Sequence, residues 1–252
     1  MQMFVHARWF ALGALLLLWT GQTAVTASEW GNPLLLAETL AVRAPDSPRA
    51  QYELGRTYII MSRYDKASPF ATKMVAPLER AAKLPHASIL PEQALIFAYA
   101  RMHLPIKDAW WDSLLAKLKT RRPGVQDESS LGALTRCARD RQCDLPPQRM
   151  TEAYLAALSY PKPAARLLAS YADYAWNVLG DQELGLSMAR ESVNVQPSEP
   201  VYHITFARML AAQGRFGEAR EQIHAMETLN YGGRLDSEIA ELRVLLSVST
   251  QR

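Results

Sequence analysis

Cys137 and Cys143 are the two cysteines of the chain, six residues apart in Cys-Ala-Arg-Asp-Arg-Gln-Cys. Such a pair can do redox chemistry, bind zinc or close a disulfide. The spacing is not that of a Cys-x-x-Cys redox motif, and structural zinc wants four ligands where no second pair lies nearby. An even cysteine count in an exported chain favours a disulfide, with two unpaired thiols as the other reading. The five histidines are His6, His86, His103, His203 and His224. They form no His-Glu-x-x-His motif, and no two stand at metal-ligand spacing with a carboxylate on the same face. His203 reads as a packed residue of a helix. There is no Gly-x-Ser-x-Gly elbow and no glycine-rich phosphate loop. Gly232-Gly233 reads as a turn, and Asp181 with Glu183 as solvated charge beside one. The sequence therefore predicts no enzyme activity, no metal and no cofactor.

What must position these residues is a folded chain. Apolar residues make up 49% of the 252 and charged ones 21%, enough to bury a core and too apolar for disorder. A net charge of +3 is far from the dense basic stripe that phosphate binding demands, so nucleic acid is not an expected partner. The N-terminus is different in kind. Arg8 precedes an almost wholly apolar block from Trp9 to Trp19, and Val25-Thr26-Ala27 follows before Ser28. Positive charge, an apolar run and small residues form a secretory signal with cleavage after Ala27. The rival reading is an uncleaved span over residues 9–27, long enough for a hydrocarbon layer of about 30 Å. Both readings place the rest outside the cytoplasm, periplasmic in a Gram-negative cell, secreted or held by one N-terminal helix. No lipobox cysteine adjoins the segment.

After Ser28 the pattern is helix upon helix, with no sustained period-two alternation. Prolines mark the starts and stops. Helices are expected from Pro33 to Val42, from Pro48 to Met61 with Ser47 as its cap, and from Ala67 to Leu84 with bends at Pro69 and Pro77. Others are expected over Pro91–Leu104, Asp108–Thr120, Ser129–Arg139, Pro147–Leu158 and, as a terminal cap, Arg234–Val248. Trp110 and Trp111 share an apolar face with Leu114, Leu115 and Leu118. Core packing is expected for one of the pair, since adjacent helix positions point about 100° apart, with a protein-facing or membrane-facing patch as the other reading.

Gly180 and Gly214 stand 34 residues apart, with small residues five positions later (Gly185, Ala219) and large apolar ones four positions earlier (Trp176, Leu210). Residues 166–199 and 200–233 resemble tetratricopeptide repeats. The likeness is carried by Ala172, Trp176, Gly180, Ala189 and Pro197, and by Phe206, Ala207, Leu210, Gly214, Phe216, Ala219 and Met226. Leu54-Gly55, Tyr58, Tyr64 and Ala67 resemble the same repeat, while Asp173 departs from it where a small residue is expected. The resemblance implies an all-α fold, a helical-hairpin solenoid behind an N-terminal hydrophobic helix. The expected organisation is a signal peptide or anchor over 1–27, a helical region with one repeat-like unit over 28–160, and two repeats with a capping helix over 161–252.

The resemblance also implies a protein–protein interaction scaffold in which the first helix of each hairpin lines a concave face. The candidates for partner contact are then Arg49, Tyr52, Arg56, Tyr174, Asn177 and Arg208. Arginine matches carboxylates and tyrosine offers rigid area, so an acidic or C-terminal peptide is the implied ligand. Envelope, secretion, pilus or glycan assembly is the expected setting. A looser resemblance links the apolar span, Trp30 and Ala44-Pro45-Asp46-Ser47-Pro48 to multi-spanning bacterial membrane proteins of glycosyltransferase type with a C-terminal repeat region. It implies the alternative of an accessory or remnant subunit of such a system, with the catalytic membrane half absent.

Overall fold

A computed structural model describes residues 2–249; Met1 and residues 250–252, which end the two terminal segments expected from sequence, lie outside the described residues. Among the described residues there is no strand. The helices pack as two compact units, residues 1–87 and 88–252.

In the first unit α1 runs over Gln2–Trp30, and residues 8–30 of it form an apolar stretch that is long enough to span a membrane and is not buried in the rest of the chain. Two residues later α2 (Pro33–Arg43) begins, capped by the Asn32 side chain, which accepts from the amides of Leu34 and Leu35 at 3.1 Å. Ser47 caps α3 (Pro48–Ser62) through the Ala50 amide, with Pro48 in the first turn as the sequence predicts. The next helix departs from expectation. It is not one bent rod but two pieces, α4 (Pro69–Lys73) and α5 (Val75–Lys83), separated at Met74. Pro69 starts the first under a Ser68 cap, and Pro77 falls in the first turn of the second, where a missing amide costs nothing. Gly55 is what lets α3 and α5 close up, since Leu78 of α5 lies directly over its Cα.

In the second unit the helices are α6 (Leu90–Arg101), α7 (Asp108–Thr120), α8 (Val125–Arg139), α9 (Pro147–Leu158) and α10 (Ala165–Tyr174). They continue as α11 (Gln182–Val195), α12 (Pro200–Ala212), α13 (Phe216–Thr228) and α14 (Asp236–Ser249). Trp110 and Trp111 are both buried, where core packing is expected for one of the pair. The reason is that α7 is covered on two sides, by α6 and by α9, so faces 100° apart both meet protein. Glu92, fully buried, pairs with Lys117 Nζ at 2.7 Å and accepts from Ser113 Oγ at 2.7 Å, which ties α6 to α7. The Cys137 and Cys143 Cα atoms are 5.2 Å apart and their sulfurs are joined, closing the end of α8.

Hairpins α10–α11 and α12–α13 stack in order, and α14 covers the last of them with Ile239, Leu242 and Leu246, together with Leu235 just before it. This is the tetratricopeptide-like, all-α hairpin array with an N-terminal apolar helix that the repeat predicts. Gly214 ends α12 at φ 71°, with the Arg215 amide donating to Leu210 O and the Gly214 amide to Ala211 O, a Schellman closure. Gly180 also has φ 71°, but α10 reaches it through a π-helical turn, Ala175–Leu179. There the Asp181 amide reaches back to Ala175 O, one residue further than its counterpart.

Candidate functional site

That π turn decides which side chains face outward. An extra residue in one turn offsets everything before it by one position, so residues of α10 match those of α12 at 35 rather than 34 places. Tyr171 pairs with Phe206 and Ala172 with Ala207, all four buried. Tyr174 then matches the buried Met209, and Asp173 matches the exposed Arg208. The apparent misfit of Asp173 in the repeat disappears, because the small residue belongs one place earlier.

The second unit carries an open groove of about 450 Å³ along α8, α10 and α12. Arg139 comes from the last turn of α8, Arg166, Ser170 and Asp173 from α10, Trp176 and Asn177 from the π turn, and Tyr202, Thr205 and Arg208 from α12. At its centre the Asp173 carboxylate is held from two sides, accepting from Arg139 Nη1 at 3.0 Å and from Asn177 Nδ2 at 2.6 Å. Arg139 also donates to Asp140 at 2.9 Å, and this pair of carboxylates keeps its guanidinium firmly charged. Arg208 meets Glu241 of α14 at 3.2 Å. Arg166 donates to Ser129 Oγ at 3.3 Å and forms no ion pair among the described residues. Burial pushes the Tyr202 phenol up, against the opposing charge of Arg166, so it stays a neutral donor at ordinary pH.

Three arginines and one aspartate line the groove, Arg139 and Arg208 already paired with Asp140, Asp173 and Glu241, and Trp176 and Tyr202 give it apolar area. A second depression of about 540 Å³ adjoins it, sharing Arg166 and Tyr202 and adding Glu128 and Glu199. Hydrogen-bonding forks beside aromatic faces suit an extended chain with carboxylate groups. Nothing in the arrangement sets a nucleophile against a base. Among the described residues no three of His, Cys, Asp and Glu converge as a metal site. His203 is packed, its ring nitrogens facing Pro197 O at 2.8 Å and the Gln222 side chain at 2.9 Å.

Of the residues predicted for partner contact, Asn177 and Arg208 line this groove. Tyr174 does not. It is fully buried beside Tyr154, at a ring separation of 5.8 Å, because the π turn rotates it inward. Arg49, Tyr52 and Arg56 lie in the other unit, on one face of α3, with Arg49 and Arg56 exposed and Tyr52 half-buried. Sequence reasoning missed Arg139, Arg166, Asp173, Trp176 and Tyr202. The signal for two of them was present: Arg166 and Asp173, with Ser170 between them, recur at four and three residues along α10, a single helical face.

No protein-family model matches the chain, and no curated protein matches it either. Among solved structures it is similar to one described as the functional characterization of Pseudomonas aeruginosa pilF, at 14% sequence identity and a TM-score of 0.45. That match covers 80% of this chain and 88% of the other.

Proposed function

We propose that the chain is an exported protein-interaction scaffold of the cell envelope, and that the α8–α10–α12 groove takes an acidic peptide segment of its partner. The observation that supports this is the groove itself: Arg139, Arg166 and Arg208 about one aspartate, with Trp176 and Tyr202 beside them. Arg166, which makes no close ion pair among the described residues and feels only the more distant charge of Glu128, is the guanidinium best placed to take a new carboxylate. The apolar α1 and the closed cysteine pair support the extracytoplasmic setting. Arg49, Tyr52 and Arg56 are proposed as a separate contact surface on the first unit. Its setting in secretion, pilus or glycan assembly belongs to the same proposal.

Fluorescence anisotropy with a library of acidic, neutral and basic peptides tests the groove. Acidic peptides should bind in a salt-sensitive manner, and Arg166→Gln with Arg208→Gln should abolish binding while costing no more than the exposed Arg208–Glu241 pair, about 1 kcal/mol or less. Equal binding of acidic and basic peptides would overturn the ligand class. Crosslinking in intact envelopes through a photoreactive residue at Asn177 tests the scaffold role. Recovery of no specific protein, together with turnover of a lipid-linked sugar, would favour the accessory-subunit alternative instead.

A further inference from the structure

Helix α2 leaves part of its apolar surface uncovered. Its inward face is small, Ala37 and Ala41, each 5% exposed, against α3. Leu34 and Leu36 are partly buried, while three further large apolar residues face outward: Leu35 is 44% exposed, Leu40 42% and Val42 80%. Leu35 and Val42 stand seven residues apart, which places them on one ridge of the helix with Thr39 between them. Both charged side chains of α2 are already engaged within the unit. Glu38 accepts from the Tyr58 hydroxyl at 2.9 Å, and Arg43 pairs with Glu29 at 3.1 Å. A terminal helix of a hairpin array normally turns a polar face outward, and this one presents leucine and valine.

We infer that, with α1 retained as a membrane span, α2 lies against the bilayer surface with its Leu35–Val42 ridge among the lipid headgroups. This rests on the tethered form of the proposed function. The lipid is favoured over any protein occupant by continuity of the chain. Only Gly31 and Asn32 separate the apolar helix from α2, a reach of about 7 Å. Trp30, 70% exposed at the end of α1, is the residue type that settles at the membrane–water boundary. Eleven residues of helix extend about 16 Å, so the entire ridge stays within the headgroup region when α2 lies flat.

The test uses the full chain, one copy per nanodisc of phosphatidylethanolamine and phosphatidylglycerol. Single cysteines Leu35→Cys, Val42→Cys and, as the exposed control, Lys83→Cys carry an environment-sensitive fluorophore, with a nitroxide near the glycerol end of the lipid chains as quencher. Labels at 35 and 42 should be blue-shifted and quenched several-fold more than the label at 83. Quenching no greater than at 83 would overturn the docking while leaving the tether intact. Protection that appears only when two chains share a disc would assign the ridge to a second copy and overturn the lipid contact. A native chain whose mass begins after Ala27 would instead overturn the tether, and with it the membrane role of α2.

Discussion

A Cβ placed on Gly55 would stand 2.4 Å from Leu78 Cγ and 2.7 Å from its Cδ2, so α3 and α5 meet there with no room for a methyl group. Leu78 is fully buried and cannot swing clear. Gly55→Ala should lower stability by about 1–2 kcal/mol, the overpacking cost outweighing the gain in helix propensity. Gly217, in α13, has nothing within 4 Å of its Cβ position. Gly217→Ala should therefore raise stability by about 0.5–1 kcal/mol. Urea unfolding of both variants checks the pair, and equal effects at the two sites would refute the packing argument.

Asp127 joins the start of α8 to its surroundings. Its buried carboxylate accepts from Arg121 at 2.7 and 2.9 Å, from the Gly124 amide at 2.8 Å and from the Ile89 amide at 2.9 Å. Burial would raise the carboxyl, and the Arg121 guanidinium with the two amides outweighs it, holding Asp127 below the usual carboxylate range. A depressed folded pKa gives stability that is complete above the unfolded value, about pH 4, and lost as pH falls through the folded one. Asp127→Ala should cost about 2–4 kcal/mol at neutral pH, since it strands a buried amide and a cation. The same variant should flatten the acid limb of a melting-temperature profile.

Tyr154 and Tyr174 set the alkaline limit. Burial raises both phenols, Tyr154 despite its 2.5 Å contact with Thr135 Oγ1, and Tyr174 to about 12 with a further push from Tyr171. Here the sign is opposite to that of Asp127. Above about pH 10 the unfolded chain sheds protons that the folded one keeps, so stability falls by up to about 1.4 kcal/mol per pH unit for each tyrosine. Urea midpoints should decline above pH 10, and phenolate absorbance should report late-ionising tyrosines until the chain unfolds.

The bond between Cys137 and Cys143 closes a short ring that contains Arg139 and Asp140. Opening it should cost about 2 kcal/mol in the chain-entropy model. It should also loosen the end of α8, from which Arg139 reaches Asp173. Thermal unfolding with and without reductant measures the first effect, and peptide anisotropy under the same two conditions measures the second.

Much of this architecture was legible in the residues. Ser47-Pro48 marked the start of α3, Asp108–Thr120 and Pro147–Leu158 bounded α7 and α9 as they stand, and the glycines at 180 and 214 located two hairpin turns. What escaped was the phase of α10. Tyr174 and Arg208 hold the same place in a 34-residue register, yet one is fully buried and the other exposed. A π turn leaves no mark in composition or in the spacing of the glycines, because both lie beyond it. The concave face was therefore displaced by one residue, which lost Asp173 and admitted Tyr174. The contribution of Arg139 was missed for another reason. It enters the groove from α8, a helix outside the recognisable repeats, and only three-dimensional packing brings it there.

The turn at Ala175–Leu179 has a bearing on how such a surface changes over generations. A groove lined by side chains is usually altered one substitution at a time. Loss of a single codon within this turn would instead rotate the whole preceding helix by about 100°. Tyr174 would swing outward and Asp173 inward in one mutational event. The groove thus carries a frame-like setting, in which the length of five residues, rather than their identity, selects the face on offer.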